Sequence, residues 1–139
     1  MRTVEEIKRR INDRRKDDIL GFEWIIYVEA LPWKEKQEFL IATAKPENNP
    51  QKTEEEIKQE AIDYMPFAWE KANGFRGLSA SRSISHYIAW LWLLGASDKY
   101  LQALSDDYEF YGKPQLVKIC KFLRIKCQWD DNVRLNSEP

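Results

Sequence analysis

The chain has 139 residues, of which 43% are hydrophobic, 13% aromatic and 32% charged, and its charges sum to −1 at neutral pH. This length is typical of one domain, and six Trp, six Tyr and six Phe provide enough apolar area for a core without disulfides or metals. The aromatic content and the balanced charge exclude a disordered chain. The two cysteines, Cys120 and Cys127, form no CxxC pair, so neither a disulfide scaffold nor a zinc site is indicated.

The N-terminal segment carries no apolar stretch behind its positive charges, so it lacks the pattern of a secretory signal. The longest uninterrupted apolar run, Tyr87 to Leu94, is far shorter than the ~20 residues that span a bilayer. We therefore expect a cytoplasmic protein that has no membrane partner.

Helix signals begin at the N-terminus, where Thr3 and Glu6 have the spacing of a capping box and apolar residues follow at intervals of three and four. This pattern predicts a basic N-terminal helix within residues 1–16. The next segment, 19–31, is so dense in apolar residues that it shows no single period; we expect a helix, and its β-branched residues keep a strand open as the alternative. Pro32 suits the first turn of a further helix, and two Pro and two Asn mark a loop at 45–52.

The most hydrophobic segment lies in the second half of the chain. A second capping box at Thr53 and Glu56 predicts a helix that ends near Gly74. The segment 82–94 is apolar on all sides and is followed by Gly95, which is typical of the central helix of a bundle.

Two more helices are predicted, one beginning at Ser97 and one at Pro114. In the last helix Leu116, Ile119, Cys120 and Leu123 share one face. The fold class is therefore all-α: a single-domain bundle of about five or six helices around a central hydrophobic helix, 82–94. We expect a helical core domain at 17–128, between the N-terminal helix and an irregular C-terminal tail at 129–139.

Charge is distributed in blocks that the neutral total conceals. Residues 1–16 carry seven basic and three acidic side chains, residues 17–75 have a net charge of −7, and residues 113–126 carry five basic side chains and no acid. Such opposite blocks favour association with charged partners.

A candidate anion-binding site lies in the segment 74–86, where two glycines and a serine-rich stretch lead into the central helix. The first backbone N–H groups of a helix and an arginine side chain can together bind a phosphate or carboxylate. The alternative is a capped helix start whose Arg and His pair with carboxylates of a neighbouring helix. The candidate residues are Arg76, Ser79, Ser81, Arg82 and His86.

His86 is the sole histidine, which excludes a His-rich metal site and leaves any serine or cysteine nucleophile with one candidate base. Paired acidic residues occur at several places, but nothing in the sequence marks them as one metal-binding cluster. We therefore predict no catalytic residues, no metal, no cofactor and no enzymatic activity.

The basic segments offer contacts to nucleic acid or to an acidic protein. Against nucleic acid stands the sequence pI of about 5.9, and a helix face that carries lysines is most often simply solvated. The candidate contact residues are Lys8, Arg9, Lys113, Lys118, Lys121 and Arg124. Three aromatic residues in or beside predicted loops are candidate interface residues or, alternatively, seal the ends of the bundle: Trp33, Tyr111 and Trp129.

Three functional hypotheses follow, and the first is preferred. It is a non-enzymatic protein-interaction or adaptor module, which could also self-associate. The alternative is a nucleic-acid-binding protein that uses the basic helices 2–16 and 113–126. The third is a small-anion-binding enzyme that acts at Arg76, Arg82 and His86.

Overall fold

The structure is a computed structural model that describes residues 1–16, 23–39, 50–74, 78–106 and 113–126. These residues form seven α-helices and one 3₁₀ turn, and none of them lies in a strand. The elements are α1 (Val4–Lys16), α2 (Glu23–Glu29), α3 (Trp33–Lys36), the 3₁₀ turn (Gln37–Phe39), α4 (Glu54–Gly74), α5 (Leu78–Leu93), α6 (Asp98–Asp106) and α7 (Lys113–Leu123). The all-α prediction is confirmed; the described helices exceed the predicted five or six because the segment 23–36 contains two short ones.

Both predicted capping boxes form. The Glu6 backbone N–H donates to the Thr3 hydroxyl over 3.2 Å, and the Thr3 backbone N–H donates to the Glu6 carboxylate over 3.1 Å. Thr53 and Glu56 repeat this arrangement at the start of α4. These bonds satisfy backbone N–H groups that a helix start otherwise leaves without partners, which is why both helices begin where the sequence predicts.

The C-terminal ends of α5 and α7 use the same backbone turn. After α5, Gly95 adopts a φ of 110°, and the Ala96 backbone N–H donates to the Leu91 carbonyl over 2.9 Å. After α7, Arg124 takes the left-handed position with a φ of 59°, and the Ile125 N–H donates to the Cys120 carbonyl over 3.0 Å. Glycine adopts this conformation without the steric cost that a side chain adds, so only the first helix end was evident from the sequence.

The prediction that the most hydrophobic helix is central is confirmed. α5 packs against α2, α4, α6 and α7, and α4 also packs against α7. It extends over Leu78–Leu93, so it begins four residues before and ends one residue before the predicted 82–94. The core on its faces includes fully buried Tyr27, Met65, Tyr87, Leu91 and Ile119. In the described part of the segment 19–31, Glu23–Glu29 form the helix α2 and the two residues that follow form a turn.

α1 shares this core. It packs on α2, and its apolar residues Ile7 and Ile11 are fully buried. The Arg2 side chain caps the end of α5, because its Nε donates to the Trp92 carbonyl over 2.9 Å and its guanidinium donates to the Ala96 carbonyl over 2.7 Å. The N-terminal segment is thereby attached to the central helix.

Candidate functional site

Most side chains of the predicted anion site lie outside the part of the chain that the structure describes. Arg76 lies wholly outside it, and for Ser79, Ser81 and Arg82 the structure describes the helical backbone and not the side chain. The helix begins at Leu78, so both serines lie inside α5 rather than before it. Of the predicted site, His86 alone has a described side chain.

His86 is half-buried between α4 and α5, in a cluster of aromatic rings. Its Nδ1 lies 2.9 Å from the Tyr64 hydroxyl, and the two rings meet edge to face with centroids 5.1 Å apart. Trp90 completes the group, with its centroid 5.2 Å from that of Tyr64. Burial lowers the pKa of His86 below its ordinary value, because desolvation disfavours the charged imidazolium.

The predicted basic contact residues lie on two helices with different neighbours. On α1, Lys8 forms an ion pair with Glu38 over 3.0 Å, which raises the pKa of Lys8, and Arg9 is exposed. The side chains of Lys118 and Lys121 on α7, which packs against α4, α5 and α6, and of Arg124 directly after it are exposed. The Lys113 side chain lies outside the described residues.

Of the candidate interface aromatics, Trp33 is half-buried, and Tyr111 and Trp129 lie outside the described residues. Trp33 is the first residue of the one-turn helix α3. The structure therefore gives no large exposed ring at the one position that it describes.

A cavity of about 340 Å³ lies beside α1, and its walls include Arg2, Arg10, Arg14 and Trp92. Three of its four arginines are already paired with carboxylates of the same chain: Arg2 with Glu6 at 3.5 Å, Arg10 with Asp98 at 2.8 Å and Arg14 with Glu23 at 3.0 Å. The fourth, Arg9, is exposed. An anionic ligand that bound the three paired arginines would have to displace these carboxylates, so the cavity is better explained as part of the packing of α1.

A second concave surface lies between α2 and α4, and we call it the α2–α4 groove. Both helices pack on α5, one on each side, and share little contact with each other, so a trough of about 440 Å³ remains open above α5. Its apolar lining consists of Ile25, Ile26, Tyr64 and Trp90.

The ends and edges of this groove are also defined. At one end the Lys52 backbone N–H donates to the Ala30 carbonyl over 3.1 Å and joins the end of α2 to the segment before α4. The Phe67 ring lies against the lining residue Tyr64 with a centroid distance of 5.3 Å. The charged lining consists of Glu29, Lys52, Glu60 and Asp63.

Two large apolar side chains in this region are exposed: Ile25, in the lining of the groove, is 47% accessible, and Phe67, which contacts the lining residue Tyr64, is 49% accessible. Sequence analysis did not select either residue. Ile25 lies in an apolar run without a clear period, so nothing in the sequence indicated that it faces away from the core. Phe67 lies on the face of α4 that also carries charged residues, so its exposure could have been predicted from the sequence. Its position in the helix does not show, however, that α2 stays apart from α4.

Within the described ranges, no three His, Cys, Asp or Glu side chains lie close enough together to hold a metal ion. The helices there include none with the length and apolar content needed to cross a bilayer. Comparison with known proteins found no matching family model, no matching curated protein and no matching solved structure.

Proposed function

We propose that the chain is a non-enzymatic protein-interaction module that binds an amphipathic helix of another protein in the α2–α4 groove. The single observation that supports this most directly is the separation of α2 and α4 above α5. A helix placed in that space would contact three helices, as a helix does in a bundle.

The apolar lining of the groove suits such a ligand. Of the three exposed large apolar side chains in the described ranges, Ile25 lines this groove and Phe67 packs against Tyr64, which also lines it. Large apolar side chains beside an apolar trough are typical of interaction surfaces, and a helix presents matching side chains at positions i, i+3, i+4 and i+7. Aromatic residues such as Tyr64 and Trp90 are also enriched at the centres of interfaces.

Within the described ranges, no segment of a second copy of the chain suits this groove, which favours a different protein as the ligand. The remaining exposed large apolar residue of the described ranges is Met1. The apolar face of α7, formed by Leu116, Ile119, Cys120 and Leu123, is buried against its own bundle. No described segment therefore has a row of apolar side chains available to fill the groove of a second copy.

Nucleic-acid binding through α1 has weaker support. Three of its basic side chains already form ion pairs within the chain: Lys8 with Glu38, Arg10 with Asp98 and Arg14 with Glu23. A phosphate backbone would have to compete with these carboxylates. The exposed basic residues of α7 keep this function as the alternative.

The test is a display selection of randomised amphipathic helical peptides against the full chain, followed by binding measurements on Ile25→Gln. This position is exposed, so the variant should fold, and the new side chain is polar without adding charge to the groove. Ala103→Gln, at an exposed position of α6, is the matched control. We expect selected peptides to bind the wild type and Ala103→Gln equally, and Ile25→Gln about tenfold more weakly.

Nuclear magnetic resonance of the wild type should locate the same peptides through shifts of the Trp90 indole and the Tyr64 ring. The proposal is wrong if the selection yields no peptide with a Kd below about 100 µM, since helix-in-groove ligands reach that affinity with few contacts. Equal binding to both variants would also overturn it.

A further inference from the structure

We infer that the partner helix of the α2–α4 groove is basic, with Lys or Arg side chains beside its apolar stripe. This inference rests on the proposed function, and it concerns the chemistry of the ligand. The observation behind it is that three carboxylates and one ammonium group lie along the groove: Glu29, Glu60, Asp63 and Lys52.

The three carboxylates differ in how far their charge is compensated. Glu60 pairs with Lys52, and Glu29 lies 3.6 Å from the ammonium of the buried Lys36. The Asp63 carboxylate accepts a hydrogen bond of 2.7 Å from the neutral amide of Gln59 and has no ion pair in the described part of the chain. Asp63 is therefore the groove carboxylate best able to pair with a cation of the partner.

The walls of the groove add to the same charge. α4 as a whole carries six acidic and two basic side chains, and the charged residue of α2 that lines the groove is Glu29. An acidic partner would place like charges beside this surface, whereas a basic partner would gain from the field in both encounter rate and specificity.

The test uses three synthetic peptides that share one apolar helical stripe and differ only in flanking residues, which are Lys/Arg, Gln or Glu. Each is titrated against the full chain by fluorescence anisotropy at low and high salt. We expect the basic peptide to bind about tenfold more tightly than the Gln peptide at low salt, and this difference to shrink at high salt.

Asp63→Lys and Asp106→Lys form a matched pair of variants. Each aspartate is exposed on a helix and accepts a hydrogen bond from a glutamine four residues earlier, Gln59 over 2.7 Å and Gln102 over 2.9 Å. Only Asp63 lines the groove. Asp63→Lys should lower the affinity for the basic peptide by about three- to tenfold, and Asp106→Lys should leave this affinity within about twofold of the wild-type value.

The outcomes separate the two claims. Equal affinity for all three peptides, or equal effects of the two variants, overturns the basic partner and leaves the groove as a binding site. Failure of every peptide to bind overturns the groove as well. A dimer in sedimentation that Ile25→Gln abolishes would replace the basic partner by a second copy of the chain and overturn the inference.

Discussion

Tyr64 is the residue at which the groove meets the interior of the bundle. Its ring lies within 6 Å of four other rings, those of Phe67, His86, Tyr87 and Trp90. Its hydroxyl bonds His86, and burial raises the pKa of Tyr64. One wall of the groove is therefore held by aromatic packing and by a hydrogen bond to a titratable group.

The burial of His86 predicts a loss of stability in weak acid. The pKa of His86 is lowered in the folded chain from the ordinary value of 6.5, so the unfolded chain takes up the proton first. The contribution of His86 to stability is complete above pH 6.5 and declines as the pH falls from 6.5 through the folded pKa. The free energy of unfolding, measured with denaturant at pH 7 and pH 5, should fall more for the wild type than for His86→Gln.

The same residue gives an independent readout, because the sole histidine of the chain contributes the only imidazole Cε1–H resonance. Its titration midpoint in the folded chain should lie below 6.5. A midpoint at or above 6.5, or equal losses of stability in the two proteins, would contradict the role of burial.

At the scale of elements, α1 is attached by stacked arginines as well as by its apolar stripe. The guanidinium groups of Arg2 and Arg10 each lie 4.6 Å from the centroid of the Trp92 ring. The Arg10 Nε also donates to the Tyr27 hydroxyl over 2.9 Å. The methylene groups of a long basic side chain can cover apolar surface, and its charged group can stack on an aromatic ring. A helix with a narrow apolar stripe therefore still gains a broad contact.

Arg10→Ala should therefore destabilise the chain by about 2 kcal/mol, because it removes a ring contact and two hydrogen bonds from a side chain that is 13% exposed. Arg9→Ala, at the adjacent and exposed position, should change stability by less than about 0.5 kcal/mol. Urea denaturation of both variants measures the difference. Similar losses would mean that the charge of α1, and not the stacking of Arg10, stabilises its attachment.

At the scale of the whole molecule, the described helices share one hydrophobic cluster that extends from α1 to α7. Ile11 on α1 and Ile119 on α7 are both fully buried in it, although α1 packs on α2 and α7 packs on α4, α5 and α6. A shared core of this kind favours unfolding in a single transition.

Ile11→Val and Ile119→Val should each lower the free energy of unfolding by about 1 kcal/mol, because each removes one buried methylene. Far-ultraviolet circular dichroism and tryptophan fluorescence should report coincident transitions for both variants. An early loss of helix signal in Ile11→Val alone, before the change in fluorescence, would show that α1 unfolds separately from the rest.

The sequence by itself determined the class of fold and much of its helix pattern. The starts of α1 and α4 and the end of α5 at Gly95 follow from interactions between residues at most five apart in the chain, and the buried face of α7 follows from the helical spacing of its apolar residues. Such signals need no knowledge of the neighbouring helices. The end of α7 at Arg124 was not evident, since a residue other than glycine takes the left-handed position there.

The tertiary structure alone decided where an interaction surface can lie. None of the groove residues was among the predicted site residues, and the acidic block at 17–75 gave only the sign of the charge. Whether Ile25 faces solvent, or whether α2 and α4 meet above Trp90, depends on the spacing of helices that are distant in the chain. Side-chain periodicity records which face of a helix is apolar, and the packing of the bundle determines which apolar faces remain uncovered.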